Sequence, residues 1–441
     1  MSDNNKDRKY PKDYNYNSRI PLSGDFHAMT PRHQNLLTED PHFCMIPWIH
    51  LHGAPDGKAH PCCLAEYTMP VGDFKKQTMA EVWNGDGMTE IRRNMLSGKP
   101  SKECSRCYEQ EKAGFVSMRN SSSQNFGHHI ALSDTTNPDG TLDWFQIRYY
   151  DVRFSNLCNF RCRSCGSMFS SNWYNDEVKL HGPQRHPRIL HAGRTEDDMW
   201  EQMQEHIPYL EQIYFAGGEP LIMEEHYRIL NELIKREMFH VRLVYNTNFS
   251  KLAYKDQDVL ALWNKFKSVS IGASLDDSYE RGEYIRKGTD WAEIVENRKR
   301  MLEVCPKVDF YISATVSAYN AWHVVDFHRE WVELGFIKPG DFNVNIVQSP
   351  DTLRIDILPL TIKADIRAKV EKHIEWLEPL DTMTRATQGY RAMLSFMDSA
   401  DRVDLLYGFF KKTLDLDKIR NEDFYEIFPE LKGLKNYEPA I

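Results

Sequence analysis

The chain has 441 residues, 41% of them hydrophobic and 12% aromatic, enough for more than one packed core, which excludes wholesale disorder. A net charge of −9 argues against broad binding to nucleic acid or to an anionic membrane. No stretch approaches the roughly eighteen consecutive apolar residues of a membrane span, and the polar start "MSDNNKDRKYPKDYNYNSR" has no apolar h-region of a secretory signal, so the expected location is the cytoplasm.

Residues 1–40 are polar and punctuated by proline, and read as a surface arm. Residues 41–118 form a compact cysteine-bearing segment. Residues 119–145, with "NSSSQNFGHHIALSDTTNPDG", read as a linker rich in Ser, Asn and Gly. From 146 to 350 strands alternate with helices. The strands are "FQIRYYDVRFS", "LEQIYFAGG", "HVRLVYNTN", "SVSIGASLD", "VDFYISATVS" and "DFNVNIVQS", each a β-branched or aromatic run. Between them stand helical patterns such as "IMEEHYRILNELIKRE", "WAEIVENRKRMLEVC" and "WHVVDFHREWVELG". This alternation implies an α/β fold with a parallel sheet, either an open doubly wound sheet or a partial barrel. Residues 351–441 read as helical, a C-terminal cap.

Eight of the nine cysteines fall between Cys44 and Cys165. In a reducing compartment such clustered thiols serve as metal ligands or catalytic groups, whereas isolated Cys305 reads as a small buried apolar residue. "RFSNLCNFRCRSCG" places Cys158, Cys162 and Cys165 at C-x3-C-x2-C spacing, directly after the first strand of the series. Thiolates suit zinc, copper(I) or iron–sulfur clusters. A [4Fe–4S] cluster takes four cysteines. No fourth follows before Cys305, so one iron would stay open to a ligand, as a catalytic zinc keeps one position open.

This spacing on this loop resembles the signature of the radical S-adenosylmethionine (SAM) enzymes. The resemblance implies a partial (β/α)6 barrel in which the open iron chelates the amino and carboxylate groups of SAM. An electron from the cluster then cleaves the sulfonium, and the 5′-deoxyadenosyl radical abstracts hydrogen from a substrate. "YFAGGEP" resembles the family's GGEP motif, with Gly217, Gly218 and Glu219 meeting the SAM amino group. "YNTNFS" resembles its TN element, with Asn248 the matching residue. "ASLDDSYERGEYIRKG" resembles its S-x-D with a downstream arginine, so that Ser274 and Arg286 would meet the carboxylate and Asp276 would be structural. All stand at the C-terminal ends of strands, where α/β folds place ligand sites. One departure is Ser164, where the family often has an aromatic residue near the adenine. Phe160 or later backbone is the expected substitute.

The front segment, with "FCMIPWIHLHGAPDGKAHPCC", "VWN" and "KPSKECSRCYEQE", resembles the SPASM/Twitch auxiliary-cluster module of radical SAM enzymes, the shorter Twitch form fitting better. Here the module precedes the barrel, whereas in most members it follows. The resemblance implies that Cys44, Cys62, Cys104 and Cys107 close a second [4Fe–4S] cluster, with Cys63 the adjacent alternative to Cys62. The same thiol pairs would suit tetrahedral zinc. His50, His52 and His60 lie close by in sequence, to tune a cluster by hydrogen bonding or to pack in the core.

The implied cofactors are two [4Fe–4S] clusters and SAM, with a reducing partner such as flavodoxin or ferredoxin. The implied substrate is a peptide or protein; a sugar alcohol, a nucleotide or tRNA is the alternative, and a redox or zinc scaffold without turnover is the non-catalytic one. Glu219, Asn248 and Arg286 favour an enzyme, because a scaffold needs no SAM pocket. The insert between Cys165 and Gly217 and the C-terminal helices are the expected substrate-contacting elements.

Overall fold

The structure is a computed structural model, and it describes residues 29–112 and 116–438. Of the expected arm, residues 1–28 lie outside the described residues. Within the rest, Pro31–Thr38 is a helix capped by the Thr30 hydroxyl, with Leu36 and Leu37 buried. The chain divides into two compact units: residues 1–155 with 191–214, and residues 156–190 with 215–441. That division cuts across the expected boundaries, because the first strands of the series side with the front segment.

In the first unit the strands are β1 (His50–Gly53), β2 (Lys58–His60), β3 (Gly72–Asp73), β4 (Tyr149–Val152) and β5 (Gln212–Phe215), in the order β3-β2-β1-β4-β5. β1, β2 and β3 are antiparallel neighbours; β1 is parallel to β4, His50 facing Tyr149 and His52 facing Asp151, and β4 is parallel to β5. The core holds Phe43, Trp48, Trp83, Ile91 and Met95 from the front segment. The expected linker contributes too. Met118–Phe126 is a helix, started by a capping box of Ser117 and Asn120, and Phe126, Ile130 and Leu142 are buried in the same core. The Ser and Asn residues read as a loop are here the cap and the close-packed face of a helix, Ser121, Ser122 and Ser123 all being buried.

The second unit carries β6 (Arg242–Thr247), the small hairpin β7 (Ala253–Tyr254) and β8 (Gln257–Asp258), then β9 (Val269–Ala273), β10 (Asp309–Val316) and β11 (Phe342–Ile346). β6, β9, β10 and β11 are neighbours in that order and all parallel. Helices Trp291–Val304 and Val324–Glu333 follow β9 and β10. All six strands of the expected series are therefore present in an α/β fold with a mostly parallel sheet, and helices Leu360–Leu377, Arg385–Met397 and Leu406–Arg420 make up most of the C-terminal part. Among the described residues no helix is long and apolar enough to cross a membrane.

Candidate functional site

In the second unit the loop after β4 is held by its own polar side chains. The Asn156 amide donates to the carbonyls of Ser167 (2.7 Å) and Arg188 (3.1 Å), so the insert is tied to the loop's root. The backbone N–H groups of Arg161 and Arg163 donate to the carbonyls of Lys287 and Ile285, both at 2.8 Å. Trp173 Nε1 donates to the Cys162 carbonyl at 2.6 Å. These bonds fix Cys158, Cys162 and Cys165 in one curl of backbone, with Cys165 N–H closing onto the Cys162 carbonyl at 3.0 Å.

All nine cysteines are free thiols. Burial pushes the three up, Cys165 to about 12; Cys162 raises both Cys158 and Cys165 further, and Cys165 raises Cys158. A thiol so placed stays protonated until a metal displaces the proton. The Phe160 N–H donates to Cys158 Sγ at 3.4 Å, and Arg286 Nη1 approaches Cys162 Sγ at 3.9 Å. Three soft donors in one curl, two of their sulfurs already met by N–H groups, fit three corners of a [4Fe–4S] cluster. Cys305 is buried, and its charged neighbours are Arg298, Asp258 and Arg300.

Gly217, Gly218 and Glu219 lie against this loop. Gly218 has φ +55°, and a Cβ there would meet the Leu157 carbonyl oxygen at 2.2 Å, so only glycine allows the approach. The Glu219 N–H donates to that same carbonyl at 2.8 Å. The Glu219 carboxylate is buried, and Oε1 accepts from Thr247 Oγ1 (2.6 Å) and Leu221 N–H (3.0 Å) while Oε2 accepts from Asn248 N–H (2.7 Å). Burial pushes its pKa up to about 7 against these hydrogen bonds. The Asn248 side chain donates to Asn159 Oδ1 (2.9 Å) and accepts from the Ser250 N–H and hydroxyl. Asn248 thus links the TN turn to the residue after Cys158.

Arg286 is held by Asp276 through Nε (2.8 Å) and Nη2 (2.9 Å), and Asp276 also accepts from the Thr315 N–H at 2.8 Å. The aspartate thus fixes the direction of the guanidinium. The Ser274 N–H donates to the Thr247 carbonyl at 2.7 Å, whereas its hydroxyl has no hydrogen-bond partner among the described residues. One expectation fails. The Phe160 ring is fully buried, and a Cβ on Gly288 would touch it at 2.8 Å, so it packs beneath that turn and is no platform for an adenine.

The first unit brings Cys44, Cys62, Cys104 and Cys107 around one apolar cavity, with Met95, Met118 and Arg119 in its wall. Four thiols around one space fit a cluster with no open iron. Arg119 pairs with Glu111 and donates to the Phe43 carbonyl at 2.8 Å beside them. Cys63 is not part of this wall. It is set against Asp151 and Arg153, and burial with the Asp151 charge pushes it to about 12. The histidines pack in the core: His50 Nδ1 donates to the Tyr149 carbonyl (2.7 Å), and His52 pairs with Asp151 (3.1 Å), both on β1 and buried. His60, also buried, stacks on Tyr67 at 5.3 Å. A separate triad joins His128 and His129 to Glu211 (3.0 and 2.6 Å), with the Arg148 guanidinium 3.5 Å from the same carboxylate opposing a cation there.

Sequence reasoning did not find Arg163, Asp417, Glu422 or Trp173. An arginine inside a cysteine loop is a signal for the first, while its partners lie more than 250 residues away.

Two family models match. Residues 152–316 match the Radical SAM superfamily and residues 44–108 the SPASM iron-sulfur cluster-binding domain. No curated protein matches the chain. Among solved structures, native anSMEcpe with bound AdoMet is 16% identical, with 43% of this chain and 49% of that one covered and a TM-score of 0.27. The form with bound AdoMet and Cp18Cys peptide is 15% identical, with 51% and 57% covered and a TM-score of 0.31. Streptococcus suis SuiB bound to precursor peptide SuiA is 15% identical, with 66% and 64% covered and a TM-score of 0.36. The chain spans about half the length of the first of these structures.

Proposed function

We propose that this radical SAM protein, which carries a SPASM-type iron–sulfur domain ahead of its radical SAM domain, cleaves SAM reductively to a 5′-deoxyadenosyl radical and removes hydrogen from a peptide or protein substrate. The observation that carries the reading is the convergence of the cysteine loop with Gly218, Glu219, Asn248 and Arg286 through direct bonds. A [4Fe–4S] cluster held by Cys158, Cys162 and Cys165 would supply the electron for cleavage of the sulfonium and an open iron for the amino-acid end of SAM.

The rest falls to the chain's own residues. A carboxylate offers about four lone-pair sites; three on Glu219 are taken within the protein, which aims what remains on Oε2 at the SAM ammonium. The free Ser274 hydroxyl and the Asp276-oriented Arg286 guanidinium serve the SAM carboxylate. Gly217 and Gly218 keep the wall low enough for backbone to approach the ligand. Cys44, Cys62, Cys104 and Cys107 hold the second cluster, whose place in turnover is electron transfer or support of the fold around it. The peptide class is carried by the resemblance of the front module to SPASM/Twitch domains. Flavodoxin or ferredoxin in the cytoplasm is the matching reductant.

Anaerobically purified, reconstituted and reduced protein is expected to convert SAM to 5′-deoxyadenosine and methionine, measured by liquid chromatography with mass spectrometry. A pool of tryptic peptides should stimulate this turnover more than nucleosides, RNA or polyols do. No 5′-deoxyadenosine above a Cys158→Ala control, with dithionite or titanium(III) citrate and with any of these additions, overturns the activity. Stimulation by RNA or polyols instead of peptides overturns the substrate class alone.

A further inference from the structure

The C-terminal helix Leu406–Arg420 is bolted to the cysteine loop. Arg163, between Cys162 and Cys165, is fully buried; its Nη2 donates to Asp417 and to Glu422, each at 2.5 Å, and its guanidinium lies 3.5 Å from the centre of the Tyr284 ring. Arg420 pairs with Asp176 at 2.9 Å, which also binds Arg161 at 2.9 Å. Trp173, whose N–H holds the Cys162 carbonyl, carries Arg420 and Lys412 over its ring at 5.0 and 5.8 Å.

The buried and half-buried arginines around this loop are each paired. Arg163 has Asp417 and Glu422, Arg161 and Arg420 share Asp176, and Arg286 has Asp276. Lys412 is half-buried and has no hydrogen bond or ion pair among the described residues. A cation withdrawn from water without a counter-charge is costly. Its ammonium lies over Trp173, whose N–H holds the Cys162 carbonyl, which places it beside the cysteine loop. Burial pushes Lys412 down to about 8, and the negative groups that favour its charged form are Cys165 and, after it, the Glu177 carboxylate, which already accepts from the Ser167 N–H and hydroxyl.

We propose that Lys412 is the counter-cation of the cluster held by Cys158, Cys162 and Cys165, and that its charge raises that cluster's reduction potential. The proposal rests on the radical SAM reading. Adding one electron to the loaded cluster, from dithionite or a flavodoxin-type donor, adds one negative charge, and a fixed ammonium nearby stabilises the reduced form more than the oxidised one. Lys412 is thus a positioning residue of charge, supplied by a helix that lies outside both matched family regions.

The test compares the full chain with Lys412→Gln, Lys412→Met and Lys412→Arg, each reconstituted, by redox titration followed through the electron paramagnetic resonance signal that changes when SAM is added. The two neutral variants should keep wild-type iron and sulfide yet titrate at a more negative potential. Their 5′-deoxyadenosine formation should fall with a mild reductant and recover with a strong one, while Lys412→Arg stays near wild type. A wild-type potential in either neutral variant that holds its cluster overturns the proposal. So does a weaker SAM affinity without a shift in potential, which would make Lys412 a ligand of the SAM carboxylate. A wild-type protein with no SAM-responsive signal would instead overturn the radical SAM reading itself.

Discussion

Glu219 shows how one side chain can serve fold and ligand together. Its carboxylate accepts two backbone N–H groups and one hydroxyl from two different turns. In Glu219→Gln a single acceptor oxygen replaces two, so the new NH2 must face at least one of those N–H donors. The substitution should therefore lower stability by about 1–3 kcal/mol, the cost of a buried unsatisfied group, in addition to weakening SAM by about 1.5–3 kcal/mol for the lost charged hydrogen bond. Thermal unfolding beside equilibrium dialysis of SAM, at equal iron content, separates the two, and unchanged SAM affinity removes Glu219 from the site. Asp277 is a different case. It is buried, and among the described residues its Oδ1 accepts only the Ser278 N–H at 2.9 Å and Oδ2 has no hydrogen-bond partner. Burial pushes its pKa up to about 7, above its value in the unfolded chain, so the folded state holds the proton more tightly. This costs nothing below pH of about 4, grows between about 4 and 7, and reaches on the order of 4 kcal/mol above 7. Asp277→Asn should accordingly be more stable than wild type at pH 8 and much less so at pH 5.5. A gap in melting temperature that does not change with pH would show an aspartate ionised throughout.

At the scale of elements, what could be read depended on how local the signal was. The six strands of the series are runs of apolar and β-branched residues between glycines and polar turns, and each appears where its text stands, β10 at Asp309–Val316 within "VDFYISATVS" for example. The cysteine loop was equally legible, because spacing within eight residues is itself the signal. β1 was not: "HLHG" is short and half histidine, and becomes a strand because β4 on one side and β2 on the other offer it their hydrogen-bonding edges. The helix Met118–Phe126 was hidden for a related reason. Ser and Asn favour loops when exposed, yet here Ser117 and Asn120 cap it and the Arg119 guanidinium reaches back to the carbonyls of Asp40 and Phe43. The choice between Cys62 and Cys63 is likewise a matter of which way adjacent side chains turn, and two neighbours in sequence look alike until the cavity wall exists.

At the scale of the whole molecule the two thiol sets make a quantitative claim about metal. They lie in different compact units, so each should load without the other. With both filled, the full chain should carry about eight irons and matching sulfide, four for each cluster. Replacing Cys158, Cys162 and Cys165 together by alanine should leave about four irons in a brown, redox-active protein that ignores SAM, because Cys44, Cys62, Cys104 and Cys107 surround one cavity and leave no iron open. Replacing Cys104 and Cys107 should spare the SAM response and remove the other half of the iron. That second variant carries a structural risk, since Cys107 is buried and Cys104 packs against the core of Phe43, Trp48 and Met95. Cys62→Ser beside Cys63→Ser is the gentler pair, the first expected to release the front iron and the second to keep it. The triple variant also answers the zinc alternative. A colourless protein with one tightly bound zinc per chain would make the front thiols a structural site, and electrons would then reach SAM through a single cluster.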